Sequence, residues 1–215
     1  MKKIILILAV ALPLMAIAQT KQYGNEADAE KLVRTAVAKL KKNAYSSRFE
    51  LDYYMAQSEK SDVKIAKVEL KGRLFRIELL DAEIKFNGKT QWTYVASDNE
   101  VTITQPSQRD LQESNPMSMI EGMLMANRIV NNEKKVIGGC RVVNFFPNSP
   151  KKVEYFKIML YISEQTGLPK KIVIFQRNGD KITMNFLDLH QVTYNPSSFV
   201  FNKSEYPNVS VNDLR

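Results

Sequence analysis

The 215-residue chain contains one cysteine, one histidine and one tryptophan. A lone Cys140 cannot close an internal disulfide, so the fold must be held by its core. Set between Gly139 and Arg141 in an apolar segment, it reads as a small buried residue rather than a nucleophile. With His190 as the only imidazole, a Ser-His-Asp or Cys-His pair would have to be built on it, and no activated nucleophile stands near it in sequence. Metal sites draw on several His or Cys residues, and a carboxylate Ca²⁺ site needs clustered acids of the D-x-D-x-D-G kind; neither pattern is present. Gly138-Gly139 lacks the Lys-Ser or Lys-Thr of a phosphate-cradling loop. The expectation is a protein without cofactor or metal that is not an enzyme. One catalytic alternative stays open, a hydrolase whose two carboxylates meet only in space.

No apolar run reaches the length of a membrane span. The longest, Ile4 to Met15, follows the basic start Met1-Lys2-Lys3 and precedes the small–x–small triplet Ala16-Ile17-Ala18. That is the pattern of a secretory signal peptide over residues 1–18, cut after Ala18. The next residue is Gln19 rather than Cys, so no lipid attachment point follows the cut. The expectation is a single domain over residues 19–215 that is exported across the cytoplasmic membrane.

Thirty-one basic residues stand against 23 acidic ones, and two of the basic ones fall in the leader. The excess is modest and scattered, with small clusters at Lys39, Lys41 and Lys42, at Lys151-Lys152 and at Lys170-Lys171. A nucleic-acid binder would concentrate charge on one face with aromatics between, so no nucleic-acid partner is expected.

The chain opens with helical spacing. Leu32, Val33, Ala36, Val37 and Leu40 form one stripe over residues 26–43, with Glu26, Asp28 and Glu30 near the start and Lys41-Lys42 at the end. The period then switches to two. Phe49, Leu51, Tyr53 and Met55 alternate with Glu50, Asp52, Tyr54 and Ala56, and further extended runs follow at 62–71 and 73–80. Asn87-Gly88 predicts a tight hairpin in which both turn residues have positive φ. Trp92 and Tyr94 share one side of the following strand. The second half repeats the theme around Phe156–Ile162, Leu168–Phe175 and Ile182–Phe186, with turns at Gln165-Thr166-Gly167 and Asn178-Gly179. Roughly ten antiparallel strands behind one helix predict a large curved sheet or barrel.

Residues 105–127 break this pattern. Asn115-Pro116 predicts a helix start, and Met117, Met119, Ile120, Met123, Leu124 and Met125 give it an apolar side too wide for an ordinary surface stripe. A Met-rich helix laid over the open side of a curved sheet would complete a hydrophobic cavity, because methionine packs against ligands of variable shape.

Three stretches resemble the LolA family, periplasmic carriers of outer-membrane lipoproteins. Phe75-Arg76-Ile77-Glu78 followed by Ile84–Tyr94 resembles the family's strand and its D/N-G-K-x-x-W-x-Y hairpin. Asn115–Ile120 resembles the start of its central helix. Phe199-Val200-Phe201 through Val209–Arg215 resembles its F-x-F…G-V-x-V-D-D-x-R ending, with Asn208 in the place of the Gly. The resemblance implies a mostly β fold, an unclosed antiparallel half-barrel whose N-terminal and central helices form a lid over the concave face. It implies acyl chains of a lipoprotein held in that cavity, an ATP-driven inner-membrane transporter as donor, an outer-membrane acceptor, and a monomer in the periplasm. On that reading Phe49, Leu51, Phe75, Ile77, Trp92, Tyr94, Met117, Met119, Ile120, Met123 and Leu124 line the cavity or the lid. A charge at Met123 is then expected to remove the cargo and leave the fold intact. In the family a basic residue followed by Pro, ahead of the Phe75 strand, ties the lid shut. Here Lys71-Gly72 stands there, and Lys71, Arg73 and Arg76 are the latch candidates. The alternative on the same half-barrel is a cell-envelope sensor or scaffold that binds a lipid or a protein.

Overall fold

A computed structural model describes residues 26–107, 110–111, 116–130 and 136–215. The leader with its cut and the Asn115 helix start lie outside these residues. Helix α1 spans Glu26–Lys42 and buries Ala29, Val33, Ala36, Val37 and Leu40, close to the stripe expected. Lys71 Nζ donates to the Lys42 carbonyl at its C-terminal end, and Lys39 Nζ donates to the Thr166 carbonyl (2.9 Å). Both contacts place positive charge where the helix dipole favours it.

Two twelve-residue strands follow, β1 (Ala44–Met55) and β2 (Lys60–Lys71). They continue into β3 (Leu74–Glu78), β4 (Ala82–Phe86), β5 (Gln91–Val95) and β6 (Glu100–Thr104). Helix α2 (Pro116–Ala126) runs without a break into β7 (Asn127–Val130), and β8 (Val136–Ile137) precedes β9 (Cys140–Pro147). The second half adds β10 (Tyr155–Ser163), β11 (Pro169–Gln176), β12 (Lys181–Phe186), β13 (His190–Val192) and β14 (Ser210–Asp213). All fourteen described strands belong to one sheet, ordered β14-β6-β5-β4-β3-β2-β1-β12-β11-β10-β9-β7, with β13 on β1 and β8 on β9. Its two ends do not pair, so the half-barrel is unclosed.

Two features depart from expectation. The strands beyond the expected ten are the short ones β7, β8, β13 and β14, of two to four residues, too brief to show an alternation. And β14 lies parallel to β6, so the sheet is mixed rather than antiparallel throughout. A crossover makes this possible: after β13 the chain runs over the outer face of the first half before reaching the β6 edge.

Residue period and cross-strand register define two faces. On the inner face Phe49 stands opposite Phe186, Leu51 opposite Met184, and Met184 opposite Ile172, which in turn faces Leu160. Both helices pack on this layer. Val33, Phe145, Leu160 and Ile162 are wholly buried at its centre. A second cluster joins Val68, Leu70, Phe75 and Phe86 to Leu111.

The turns differ in detail from the two-residue prediction. Only Gly88 of the Asn87-Gly88 pair has positive φ (97°). Asn87 instead accepts from the Lys89 and Thr90 N–H groups through its side chain (3.1 and 2.9 Å), closing a four-residue loop. Gly179 has φ +93°, and a Cβ there would lie 2.9 Å from Ala56 Cβ. Beside it, Asp180 accepts from the Ala56 N–H and the Tyr53 hydroxyl (both 2.8 Å), tying two hairpins together. Gly179→Ala is therefore expected to cost about 2 kcal/mol from backbone strain and steric overlap. A urea midpoint equal to that of the parent chain would contradict this reading.

Candidate functional site

The inner layer brings together most of the residues expected to line a cavity. Phe49 meets Phe186 edge to face with centroids 5.2 Å apart, and Phe75 meets Phe86 at 5.3 Å. Leu51 and Ile77 occupy the same face, each partly buried. From α2, Ile120 and Met123 enter the core, and Met119 and Leu124 pack at its margin. The side chain of Met117 lies outside the described residues.

Trp92 and Tyr94 point the other way. They stand opposite Lys85 and Glu83 on β4, and the inner face of β5 is made by Gln91, Thr93 and Val95. The reason is that the outer face here is also covered. Tyr94 packs on Tyr206 (4.5 Å) and Phe201 (6.3 Å) of the C-terminal segment. A strand buried on both sides carries large apolar residues on both, so size alone does not reveal the inward face.

The latch candidates occupy three different places. Arg76 lies on the outer face, where its guanidinium meets Glu83 (2.6 Å), Glu69 (3.7 Å) and Glu78. Lys71 joins β2 to the end of α1 through the Lys42 carbonyl. Arg73 is exposed in the β2–β3 turn. The ion pair between the two helices is instead Lys41–Glu121. Sequence reading missed it, although Glu121 is the only charged residue of α2. At the far end of α2, Asn127 donates to the Met123 carbonyl (3.1 Å) and accepts from the Tyr155 hydroxyl (3.0 Å).

Among the described residues, side chains of the sheet and of both helices meet in one buried cluster. Met123 is 4% exposed, so a carboxylate there would be buried without a partner. Contrary to expectation, Met123→Glu would disturb the fold, and Met119 or Leu124 is the better position for a charge. Clefts open elsewhere. One of about 720 Å³ lies at the β1–β2 and β11–β12 turns, beside Tyr53 and Asp180. A groove of about 490 Å³ separates α1 from α2, lined by Val37, Leu124 and Met125 between Arg34, Lys41 and Glu121.

The densest gathering of carboxylates among the described residues is Glu69, Glu78 and Glu83 around Arg76. Burial alone would raise the Glu83 carboxyl, but hydrogen bonds from Tyr206 and Arg76 and the charges of Lys85 and Arg76 outweigh it and hold the group below its ordinary value. The three carboxylates and Arg76 form an ion-pair network on the outer face. Because the folded-state pKa is lowered, the stabilisation is complete above the ordinary glutamate value of about 4.3. It is lost as pH falls through the folded-state value. Glu83→Gln is expected to cost roughly 1–3 kcal/mol at neutral pH, since Arg76 and Lys85 lose the negative charge they face, and to flatten the acid limb of the stability profile. Urea midpoints measured from neutral to acid pH check this, and an unchanged acid limb would refute it.

Among the described residues no helix is long and apolar enough to cross a membrane. The family described as outer membrane lipoprotein carrier protein LolA matches residues 24–137, just over half of the chain and including α1, α2 and β1–β7. An uncharacterized conserved protein from Thermus thermophilus shares the fold, with a TM-score of 0.57 at 12% identity over 85% of this chain and 98% of that one. The LolA superfamily protein NE2245 from Nitrosomonas europaea gives a TM-score of 0.43 at 10% identity, covering 80% and 97% of the two chains. LprF from Mycobacterium bovis gives 0.44 at 13% identity, covering 79% and 97%. No curated protein matches the chain.

Proposed function

The chain belongs to the family of the outer membrane lipoprotein carrier protein LolA, and from that premise we propose that it is a periplasmic carrier of lipoprotein acyl chains. In this reading the chains lie between α2 and the inner face of the sheet. An ATP-driven inner-membrane transporter loads the cargo, and an acceptor at the outer membrane receives it. The leader over residues 1–18 exports the carrier.

The observation that supports this reading best is the make-up of α2. It is apolar around most of its surface, with Glu121 as its single charge, and through Ile120 and Met123 it joins an apolar cluster to which the sheet contributes Phe49, Leu51, Phe145 and Phe186. Burying a methylene is worth about 0.8 kcal/mol, so a sixteen-carbon chain left in water costs on the order of 12 kcal/mol. A carrier must offset most of that and still let go. A lid that packs on the same layer when the site is empty competes with the cargo, and the net affinity falls by the free energy of closure.

A second reading, an envelope scaffold or sensor on the same half-barrel, is favoured by one observation: among the described residues, side chains of the sheet and of both helices meet in one buried cluster. Mass spectrometry of molecules extracted from protein isolated from its native envelope separates the two. Acylated lipoproteins or lipids in stoichiometric amount are expected of the carrier. A preparation free of acyl chains but bound to a protein partner would replace it with the scaffold.

A further inference from the structure

The two halves of the sheet differ on their outer faces. Over β3–β6 the outer face lies under the C-terminal segment, through Phe201 and Tyr206 against Tyr94, with Val209 buried. Over β1, β12, β11 and β10 no described segment covers it. That bare face has a regular composition. Lys181 lies over the Tyr54 ring (4.8 Å), Lys157 over Phe175 (5.8 Å) and Lys171 over Tyr161 (5.4 Å). The first two pairs share one cross-strand row, because Tyr54 stands opposite Lys181, Lys181 opposite Phe175 and Phe175 opposite Lys157.

None of these three lysines has a carboxylate partner among the described residues; their ammonium groups rest on aromatic rings. The face continues at one end into the turn that carries Lys151 and Lys152. The Arg177 guanidinium, bonded to the Pro150 carbonyl (2.9 Å), holds that turn in place. Phe156 is 43% exposed beside Phe175, with centroids 6.1 Å apart. With the Arg48–Asp188 pair on β1 included, seven cations stand against Glu50, Asp52, Glu154 and Asp188.

We propose that this bare outer face docks on an anionic bilayer surface. The charge excess fits acidic headgroups. The surface is a broad sheet face rather than a groove, which suits a plane of lipid better than a peptide strand. Lysine on aromatic is also the pairing that favours the membrane–water boundary, with the ring at headgroup depth and the ammonium near phosphate. Contact would be made without insertion and without the lid opening, so this inference stands apart from the carrier reading.

The test is co-sedimentation of the protein with vesicles of phosphatidylcholine alone, or of phosphatidylcholine mixed equally with phosphatidylglycerol. Binding is expected only to the anionic vesicles, and added salt should weaken it. Each Lys→Gln change should reduce binding roughly fivefold, and the triple Lys157→Gln/Lys171→Gln/Lys181→Gln variant on the order of 100-fold. The triple Lys→Arg variant should bind as the parent does, because charge and ring contact both survive. If the triple Gln variant unfolds, the single variants carry the test. Binding of a fluorescent fatty acid should be unchanged in all of them, which separates failure here from failure of the carrier reading. The proposal is overturned if anionic vesicles do not bind, if neutral ones bind equally, or if the Gln variants bind as the parent. Capture of polyglutamate without capture of vesicles would overturn it in favour of an acidic protein partner.

Discussion

On the carrier reading, bridging Lys41→Cys to Glu121→Cys with a short bifunctional maleimide will abolish acyl-chain binding. The two positions already touch as an ion pair, and both are accessible, with side chains 52% and 31% exposed. The bridge holds α2 on α1 and so keeps the helices seated on the inner layer. Cys140 is buried and would be replaced by Ala, so that no third thiol competes. If acyl chains enter only when α2 lifts, the bridged protein loses its competent state, and apparent affinity falls in proportion to that population. A loss on the order of 100-fold in a titration with a fluorescent fatty acid is expected. The unbridged double variant should bind somewhat better than the parent, because the natural pair is an exposed tie of about 1 kcal/mol or less. Equal binding before and after bridging would mean that acyl chains do not enter beneath α2.

Phe145→Ala will be among the most destabilising single changes in the protein. Phe145 is wholly buried on β9, opposite Ile158 on β10 and Ile129 on β7, in the cluster that receives both helices. Truncating such a ring costs about 3–5 kcal/mol, combining lost transfer energy with the cavity left behind. Domains of this size are stable by about 5–15 kcal/mol, so the change removes a large share of the total. Leu80→Ala is the control. Leu80 is fully exposed at the tip of the β3–β4 turn, and its loss should fall within about 0.5 kcal/mol of zero. Urea unfolding of both variants decides the matter. A small effect at Phe145 would show that the inner layer is loosely packed and relaxes around the missing ring.

These contrasts also mark what could be read from the residues. Helix α1 announced itself because one stripe faces a core and the rest faces water. The long strands were legible for the same reason, through alternation. What alternation leaves out is which face turns inward when both are covered. Trp92 and Tyr94 share the outer face, Tyr94 under the C-terminal segment, and the plainer Gln91, Thr93 and Val95 face inward. Pairings between distant residues are equally silent. The tie between Lys41 and Glu121 depends on how α1 and α2 come to lie side by side, and the lone charge of α2 does not by itself name its partner. Asn208 shows a departure from the family motif that the backbone explains. Its φ is +56°, a left-handed conformation that Asn tolerates nearly as well as the Gly it stands for.

The parallel seating of β14 on β6 has a consequence for the order of assembly. Asn99, at the start of the β6 edge, bonds through its side chain to the Pro207 carbonyl (3.1 Å), 108 residues further along. As the chain emerges from the ribosome, the early hairpins can zip up on their own, since their partners are neighbours. Their outermost rim stays raw until the tail arrives. During that interval the unpaired backbone of β6 is a template for any passing strand, and only residues 210–213, more than a hundred positions later, seal it. Unpairing β14 from β6 would leave a nearly finished molecule with a sticky margin, prone to clump rather than to unravel.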